Sequence, residues 1–180
     1  MLISGSINST VMRTDVFLAP ATDRSEAYDI FRQTVLEGVP RDVYGDFTES
    51  DYGERARIWG LSEFFESTLT GIESGDWVLF YTGSNRYSFA ARVREMEKNP
   101  KLGEIIRSEF LSNSSDDRDW NILLFLDESV SISISGQEVA DLFGYSNYYP
   151  SRFIRVPKNR LESLKNEYGN IDEFVHSIEK

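Results

Sequence analysis

The stretch Ser74–Glu95 constrains the fold more than any other part of the chain. Within it, Trp77–Tyr81 is apolar at every position and rich in residues that favour strands. The polar turn Thr82–Asn85 follows, and Tyr87–Val93 then has the pattern of a returning strand. Because an uninterrupted apolar strand suits burial on both faces, the sequence predicts a β-hairpin at the centre of a sheet.

The other strands and helices are predicted from apolar periodicity and from turn residues. Further strands are expected at Asp15–Ala19, Arg55–Gly60, Trp120–Leu126, Val130–Ser135 and Arg152–Val156. Helices are expected at Glu26–Leu36, Leu102–Phe110, Gln137–Phe143, after Pro157 and over Ile171–Ile178. Since short turns join many of the strands, the order favours an α+β fold, a curved and mostly antiparallel sheet or partial barrel with flanking helices.

The length of 180 residues favours a single domain, residues 15–180, behind a flexible lead-in of residues 1–14. Hydrophobic residues make up 40% of the chain, which is enough to form a core. The sequence has no cysteine and no apolar run as long as a membrane helix. Because Met1–Met12 is polar and serine-rich, we expect no signal peptide. We therefore expect a cytoplasmic protein that does not associate with membranes.

The formal net charge of −11 has two interpretations. An acidic surface could repel nucleic acid, because contacts to phosphates drive that binding. Alternatively, the acidity could be a halophilic adaptation, since high salt screens charge repulsion over short distances. We favour the second interpretation because arginine is retained while lysine is scarce. The placement of the arginines is then more informative than the overall charge.

The residues needed for catalysis or metal binding are largely missing. The single histidine, His176, lies in the last predicted helix, and no glycine loop has the pattern that cradles phosphates. Asp116, Asp117 and Asp119 cluster together but lack the glycine and spacing of a calcium loop. We expect no enzymatic activity, no cofactor and no metal site.

Three tryptophans occupy distinct positions in the predicted strands. Trp77 lies inside the apolar hairpin strand and is expected in the core. Trp59 precedes a glycine at the end of one strand, and Trp120 opens a later strand. Aromatic side chains at strand ends can form a cup that stacks on a flat ligand, so Trp59 and Trp120 are candidates either for the core or for a site.

An ordered set of segments resembles a known family. The segments are Arg57–Gly60, Gly75–Tyr81, Tyr87–Val93, Asn99–Leu102, Trp120–Leu126, Leu142–Tyr145 and Ser151–Val156. Together they resemble the EVE/YTH-like branch of the PUA-like fold, in particular the N-terminal recognition domains of McrB-type modification-dependent restriction systems. The resemblance extends over about Val16–Val156 and implies a small barrel-like sheet with flanking helices and no catalysis of its own.

The resemblance also implies a binding site. In that family an aromatic pocket holds one nucleobase, often methylated, outside its stack. By this likeness Trp59 forms one wall and Trp120 corresponds to a second tryptophan before a later strand. Tyr81 and Phe89 are candidates for the floor or a wall. Hydrogen bonds to the base edge would come from the turn residues Thr82, Ser84 and Asn85.

Arginines near these segments could contact phosphates or, alternatively, pair with the many surface carboxylates. They are Arg55, Arg57, Arg86, Arg92, Arg152 and Arg155. The leading hypothesis is a non-catalytic domain that binds a flipped, modified base in DNA and selects targets for a restriction or defence system, with an AAA+ motor or nuclease as partner. The alternatives are an RNA-binding PUA-like module and a protein–protein adaptor or oligomerisation domain.

Overall fold

A computed structural model describes residues 14–24, 26–115 and 117–180. Apart from Thr14, the predicted lead-in lies outside the described residues, as does Asp116 of the acidic cluster. Within the described residues no helix combines the length and apolar character needed to cross a bilayer. In the same residues no group of three histidine, aspartate or glutamate side chains is arranged to hold a metal ion.

Eight strands form one curled, open sheet in the described part of the chain. They are β1 (Val16–Pro20), β2 (Val39–Pro40), β3 (Arg55–Leu61), β4 (Trp77–Gly83), β5 (Arg86–Lys98), β6 (Ile122–Leu126), β7 (Val130–Ser135) and β8 (Ile154–Arg155). Six α-helices pack around the described sheet. They are α1 (Ala27–Phe31), α2 (Arg41–Tyr44), α3 (Pro100–Phe110), α4 (Gly136–Phe143), α5 (Glu162–Tyr168) and α6 (Ile171–Ile178).

The predicted hairpin is confirmed at the centre of the sheet, whose strand order is β2-β3-β6-β5-β4-β1-β8. Strand β5 is long and pairs with two different strands along one of its edges. Its first half pairs with β7 and its second half pairs with β6, while β4 occupies the opposite edge. Only β1 and β4 run parallel among the described pairs, so the predicted α+β, mostly antiparallel architecture is confirmed.

Strand β4 is covered on both faces, as its apolar run predicts. Trp77, Leu79 and Tyr81 belong to a core cluster shared with α4, α5 and α6. Val78 and Phe80 belong to a second cluster, on the opposite face, shared with α1. This alternation follows from the two-residue period of a strand, and it decides which aromatic side chains can reach which side of the sheet.

Some elements differ from their predicted bounds. The predicted helix Glu26–Leu36 begins as α1 and continues as a wider π-helical segment, Arg32–Gly38. It ends at Gly38, whose φ of +85° is readily adopted by glycine. The strand predicted from Trp120 begins two residues later, at Ile122, so Trp120 lies in the preceding loop. The last strand, predicted over Arg152–Val156, is reduced to β8.

Candidate functional site

The principal candidate site is a cavity of about 580 Å³ beside the end of β3. Its size lies within the range of about 300–1,000 Å³ that is typical of small-molecule sites. Four separate segments supply its walls. The lining residues are Pro20, Glu26, Ala27, Ile30, Trp59, Gly60, Leu61, Ser62, Phe65, Ser115, Asp117, Arg118, Asp119, Trp120, Ser151, Arg152 and Phe153.

The pairing of β3 with β6 brings the two candidate tryptophans to the same end of the sheet. The strands are antiparallel, so the end of β3 meets the beginning of β6, where Leu61 pairs with Ile122. The backbone N–H of Asn121 extends this pairing by donating to the Leu61 carbonyl at 3.0 Å. Trp59 on β3 and Trp120 just before β6 both line the cavity. They nevertheless belong to different core clusters: Trp59 packs with Phe31 and Phe80, and Trp120 packs with Leu102 and Phe125.

Two glycines make room for Trp120. A Cβ atom on Gly60 would lie 2.0 Å from Cδ2 and Cε3 of the Trp120 indole. A Cβ atom on Gly103, in α3, would lie 1.8 Å from the Trp120 carbonyl oxygen. The indole therefore lies directly against the backbone of β3, and its side chain is only 7% exposed.

Trp59 is held by aromatic neighbours. Its indole meets the rings of Phe31 and Phe80 edge-on, with centroids 6.1 and 5.4 Å away. The side chain is 8% exposed, and within the described residues its indole Nε1 has no hydrogen-bond partner. These contacts fix the ring orientation, so Trp59 presents a rigid surface to the cavity.

The lining of the cavity includes both acidic and basic residues. Glu26, Asp117 and Asp119 are acidic, and Arg118 and Arg152 are basic. Carboxylate oxygens of Glu26 accept hydrogen bonds from the backbone N–H of Ser115, at 3.1 Å for the shorter contact. This contact fastens the loop before Trp120 to the start of α1, so the two sides of the mouth are joined.

A second cavity of about 580 Å³ lies on the other side of the loop that precedes β6. Its lining includes Glu104, Arg107 and Leu111 from α3 and the segment after it. Asp117, Asp119 and Trp120 line both cavities. The loop that carries Trp120 thus separates the two spaces.

The other aromatic and turn residues singled out in the sequence lie away from the first cavity. Tyr81 packs against Tyr87 on the opposite face of the sheet, with ring centroids 5.2 Å apart. Phe89 contacts Phe31 at 5.6 Å, and Phe31 in turn contacts Trp59, so Phe89 lies behind Trp59. Neither Tyr81 nor Phe89 lines the cavity.

The turn residues of the hairpin hold α4 rather than facing the cavity. Ser84 and Asn85 have positive φ angles of 53° and 55°, which belong to a tight hairpin turn. The Asn85 side-chain oxygen accepts from the Gln137 backbone N–H at 3.1 Å, and the Asn85 carbonyl accepts from Gly136 N–H at 3.0 Å. The Tyr81 hydroxyl accepts from the Asn85 N–H at 3.0 Å.

Of the candidate phosphate contacts, Arg152 lines the cavity. Arg55 and Arg57 instead donate to backbone carbonyls of the Arg32–Gly38 segment, where Arg55 reaches Gly38 at 3.0 Å and Arg57 reaches Val35 at 2.8 Å. These two guanidinium groups therefore fasten β3 to the segment that follows α1.

Two further arginines of the candidate set are engaged with other side chains of the sheet and of α6. Arg92 pairs with Asp172 at 2.8 Å and lies over the Trp77 ring. Arg86 donates to the Ser133 hydroxyl at 2.9 Å. Arg155, a further candidate, lies over the ring of Phe17.

Several lining residues were not singled out in the sequence. Phe65 and Phe153 meet edge-on at 6.2 Å and form one wall. Ser151 adds a hydroxyl beside Arg152, and Ser62 adds one after β3. Ser151 and Phe153 lie in the segment Ser151–Val156 that contributes to the resemblance, but neither was assigned a role in the site. Ser62 and Phe65 follow β3 in a segment with no distinctive local pattern.

Comparison with known proteins assigns the fold. No protein-family model matches the sequence, and no curated protein sequence is significantly similar to it. The N-terminal domain of Thermococcus gammatolerans McrB, solved bound to m5C DNA, superposes with a TM-score of 0.67 at 20% identity. The match covers 87% of this chain and 98% of the McrB domain. This chain has an EVE/YTH-like fold.

More distant likenesses are found among YTH domains. The YTH domain of Zygosaccharomyces rouxii MRB1 protein, solved with N6-methyladenosine RNA, matches with a TM-score of 0.49, 12% identity and 87% coverage of both chains. The Pho92 YTH domain, solved with m6A, matches with a TM-score of 0.45, 10% identity and 88% coverage of both chains. The EVE/YTH-like fold expected from the sequence is confirmed by the McrB comparison.

Proposed function

We propose that this EVE/YTH-like domain recognises one modified base in DNA, which it holds outside the duplex in the cavity beside Trp59 and Trp120. The domain binds without catalysis and selects target DNA for a restriction or defence system. An AAA+ motor or a nuclease acts as the partner that processes the marked DNA.

One observation carries the proposal. Two rigid indoles from separate segments line a single open cavity of suitable volume. The fold that builds this cavity is shared with a McrB domain that was solved bound to m5C DNA. A flat ligand with two π faces fits such a cavity better than a flexible or strongly charged one does.

The energetics suit a flipped base. Stacking on an aromatic side chain contributes about 1–3 kcal/mol per base, and extruding a base from the duplex costs a few kcal/mol. A methyl group adds roughly 0.8 kcal/mol when it is buried. Contacts to the flanking phosphates supply the rest of the binding free energy, and they make the affinity depend on salt concentration.

Each residue of the candidate set has a proposed role. Trp59 and Trp120 contact the base, and Arg152 contacts a flanking phosphate. The hydroxyls of Ser62 and Ser151 lie in the cavity lining and are available for the base edge. The remaining residues of the candidate set shape the site indirectly through the hairpin and through β3. They are Tyr81, Phe89, Ser84, Asn85, Arg55, Arg57, Arg86 and Arg92.

The decisive experiment measures binding to matched duplexes that differ only in one methylated base, over a series of salt concentrations. The wild type is expected to prefer the modified duplex, and Trp120→Ala is expected to lose that preference. Trp77→Phe is the matched control, because Trp77 lies on the opposite face of the sheet and its Nε1 donates to Asp172 at 2.8 Å. Recovered DNA of unchanged mass would agree with binding without catalysis.

The alternatives predict different outcomes of the same titration. Preference for single-stranded RNA over the modified duplex would favour an RNA-binding module. A folded dimer that ignores every oligonucleotide would favour the adaptor or oligomerisation hypothesis. Equal affinity of the wild type for modified and unmodified duplexes would contradict the proposed recognition.

A further inference from the structure

Two groups of large aromatic side chains are exposed near the cavity. Phe64 is 70% exposed, and it directly precedes the cavity residue Phe65. Tyr148 and Tyr149 are 44% and 46% exposed, and their rings meet edge-on with centroids 5.2 Å apart. Exposed aromatic groups of this kind often mark surfaces that contact a partner.

The tyrosine pair is joined to the cavity along two routes. Along the chain, Tyr149 is two residues from Ser151, so their Cα atoms are at most about 7 Å apart. Through space, the Tyr149 ring lies 6.4 Å from the ring of Tyr81, whose partner in the sheet, Pro20, lines the cavity. Because Tyr81 itself faces α4, α5 and α6, the tyrosine pair lies beside the cavity and outside its lining.

The backbone beneath the pair is held in place. A Cβ atom on Gly136 would lie 2.0 Å from the Tyr148 carbonyl oxygen, so this carbonyl packs against the first residue of α4. Pro150, which follows the pair, is buried. The two rings are thus presented to solvent from a fixed support, which lowers the entropy lost when a ligand stacks on them.

The charged residues around the tyrosine pair differ in sign from those around Phe64. In a chain of net charge −11, residues 142–161 contain Arg152, Arg155, Lys158 and Arg160 and no acidic residue. Phe64, in contrast, follows Glu63 and precedes Glu66 by two residues. Arg155 lies over Phe17 beside Asp15, and Arg160 donates to the Phe143 carbonyl. The exposed Arg152 and Lys158 therefore carry the charge that favours anionic DNA near the tyrosine pair over Phe64.

We propose that one ring of the Tyr148–Tyr149 pair stacks against the base that neighbours the one held in the cavity, while the other ring supports it edge-on. When a base leaves the duplex, its neighbour loses a stacking partner, and a tyrosine ring replaces that contact. This inference rests on the proposed function, since it requires an occupied cavity. It assigns to residues beside the cavity a part of the affinity that a free nucleoside cannot use.

The test compares a free methylated nucleoside with a duplex that carries the same base. Tyr148→Ala and Tyr149→Ala are expected to weaken duplex binding by roughly five- to 150-fold, which corresponds to the loss of one stacked base. Nucleoside binding is expected to stay as in the wild type. Tyr149→Phe should retain duplex affinity because stacking needs the ring, and Phe64→Ala is the matched control on the acidic side of the cavity.

A spectroscopic readout isolates stacking from any structural role. With 2-aminopurine placed beside the methylated base, the wild-type complex is expected to stay dim because the probe remains stacked. The complex with the Tyr148→Ala/Tyr149→Ala double variant should be brighter. Equal brightness in the two complexes, or an equal loss of affinity in Phe64→Ala, would overturn the inference.

The proposed function and this inference fail in different ways. If the wild type binds neither the nucleoside nor the modified duplex, the proposed function fails. If both ligands bind but the tyrosine variants match the wild type, only the stacking role of Tyr148 and Tyr149 is refuted.

Discussion

Gly60→Ala is expected to displace the Trp120 indole and to weaken binding in the cavity while leaving the fold intact. The new Cβ would lie 2.0 Å from two indole carbons, whereas ordinary contacts begin at 3.4 Å. The indole or the strand must therefore yield by 3.4 − 2.0 = 1.4 Å. Overpacking of this kind costs about 1–3 kcal/mol of the free energy of unfolding.

The same displacement should reduce the affinity for a base. Loss of one aromatic stacking contact is worth about 1–3 kcal/mol, or roughly a five- to 150-fold increase in Kd. Urea denaturation measures the change in stability, and titration with the methylated duplex measures the change in affinity. The two losses share one cause, so they should appear together in this variant.

Gly45→Ala is the matched control. A Cβ there would meet only Arg41 Cγ, at the ordinary distance of 3.4 Å, and Gly45 has a helical φ of −62°. This substitution should leave binding unchanged and leave stability unchanged or raised by about 0.4–1 kcal/mol.

A double-mutant cycle with Trp120→Leu completes the test. Gly60→Ala should cost less stability in that background, because the smaller side chain relieves the contact, and the coupling should reach about 0.5–3 kcal/mol. Additive effects, or a Gly60→Ala variant with wild-type stability, would refute the packing of Trp120 against β3.

Three further predictions concern single residues. Arg152→Gln should weaken binding to modified and unmodified duplexes alike and reduce the slope of log K against log salt by about 1. Asp76→Ala should lower the free energy of unfolding in urea by about 1–3 kcal/mol, because the backbone N–H groups of Asp15 and Glu73 lose their acceptor. Burial raises the pKa of the Asp76 carboxyl above the usual aspartate range. The folded state therefore binds the proton of the Asp76 carboxyl more tightly than the unfolded chain does. The stability advantage of the wild type over Asp76→Ala should then shrink as pH rises from about 4 through the folded-state pKa. An NMR titration of the carboxyl gives that pKa directly. Ser135→Ala should cost about 0.5–2 kcal/mol in the same denaturation assay, because α4 loses its N-terminal cap.

The central sheet could be predicted because its signal is local. Trp77–Tyr81 is apolar at every position, which required burial on both faces, and the structure has this strand in the middle of the sheet. Trp59 and Trp120 line the same cavity, but Trp120 lies in the loop before β6 and the two indoles belong to separate core clusters, which no local sequence pattern reveals. Strand alternation further explains why Tyr81 faces the helices, because it has the same parity as Trp77.

The rest of the site depends on contacts between distant segments. The sequence does not reveal that Arg55 and Arg57 bond to carbonyls some 20 residues earlier, at distances set by the path of the Arg32–Gly38 segment. Likewise, Phe65 and Phe153 meet only because β1 and β8 pair at the edge of the sheet. No local pattern distinguishes such residues from ordinary core or surface positions.

The cavity draws its walls from four segments that span the chain from Pro20 to Phe153. An unfolded chain therefore has no partial version of the site, and a ligand can bind only the folded form. A ligand that binds this cavity must raise the free energy of unfolding, by about 2.7 kcal/mol at a concentration of 100 times its Kd. A panel of modified nucleosides and oligonucleotides can thus be ranked by the rise in melting temperature alone, before the identity of the base is known.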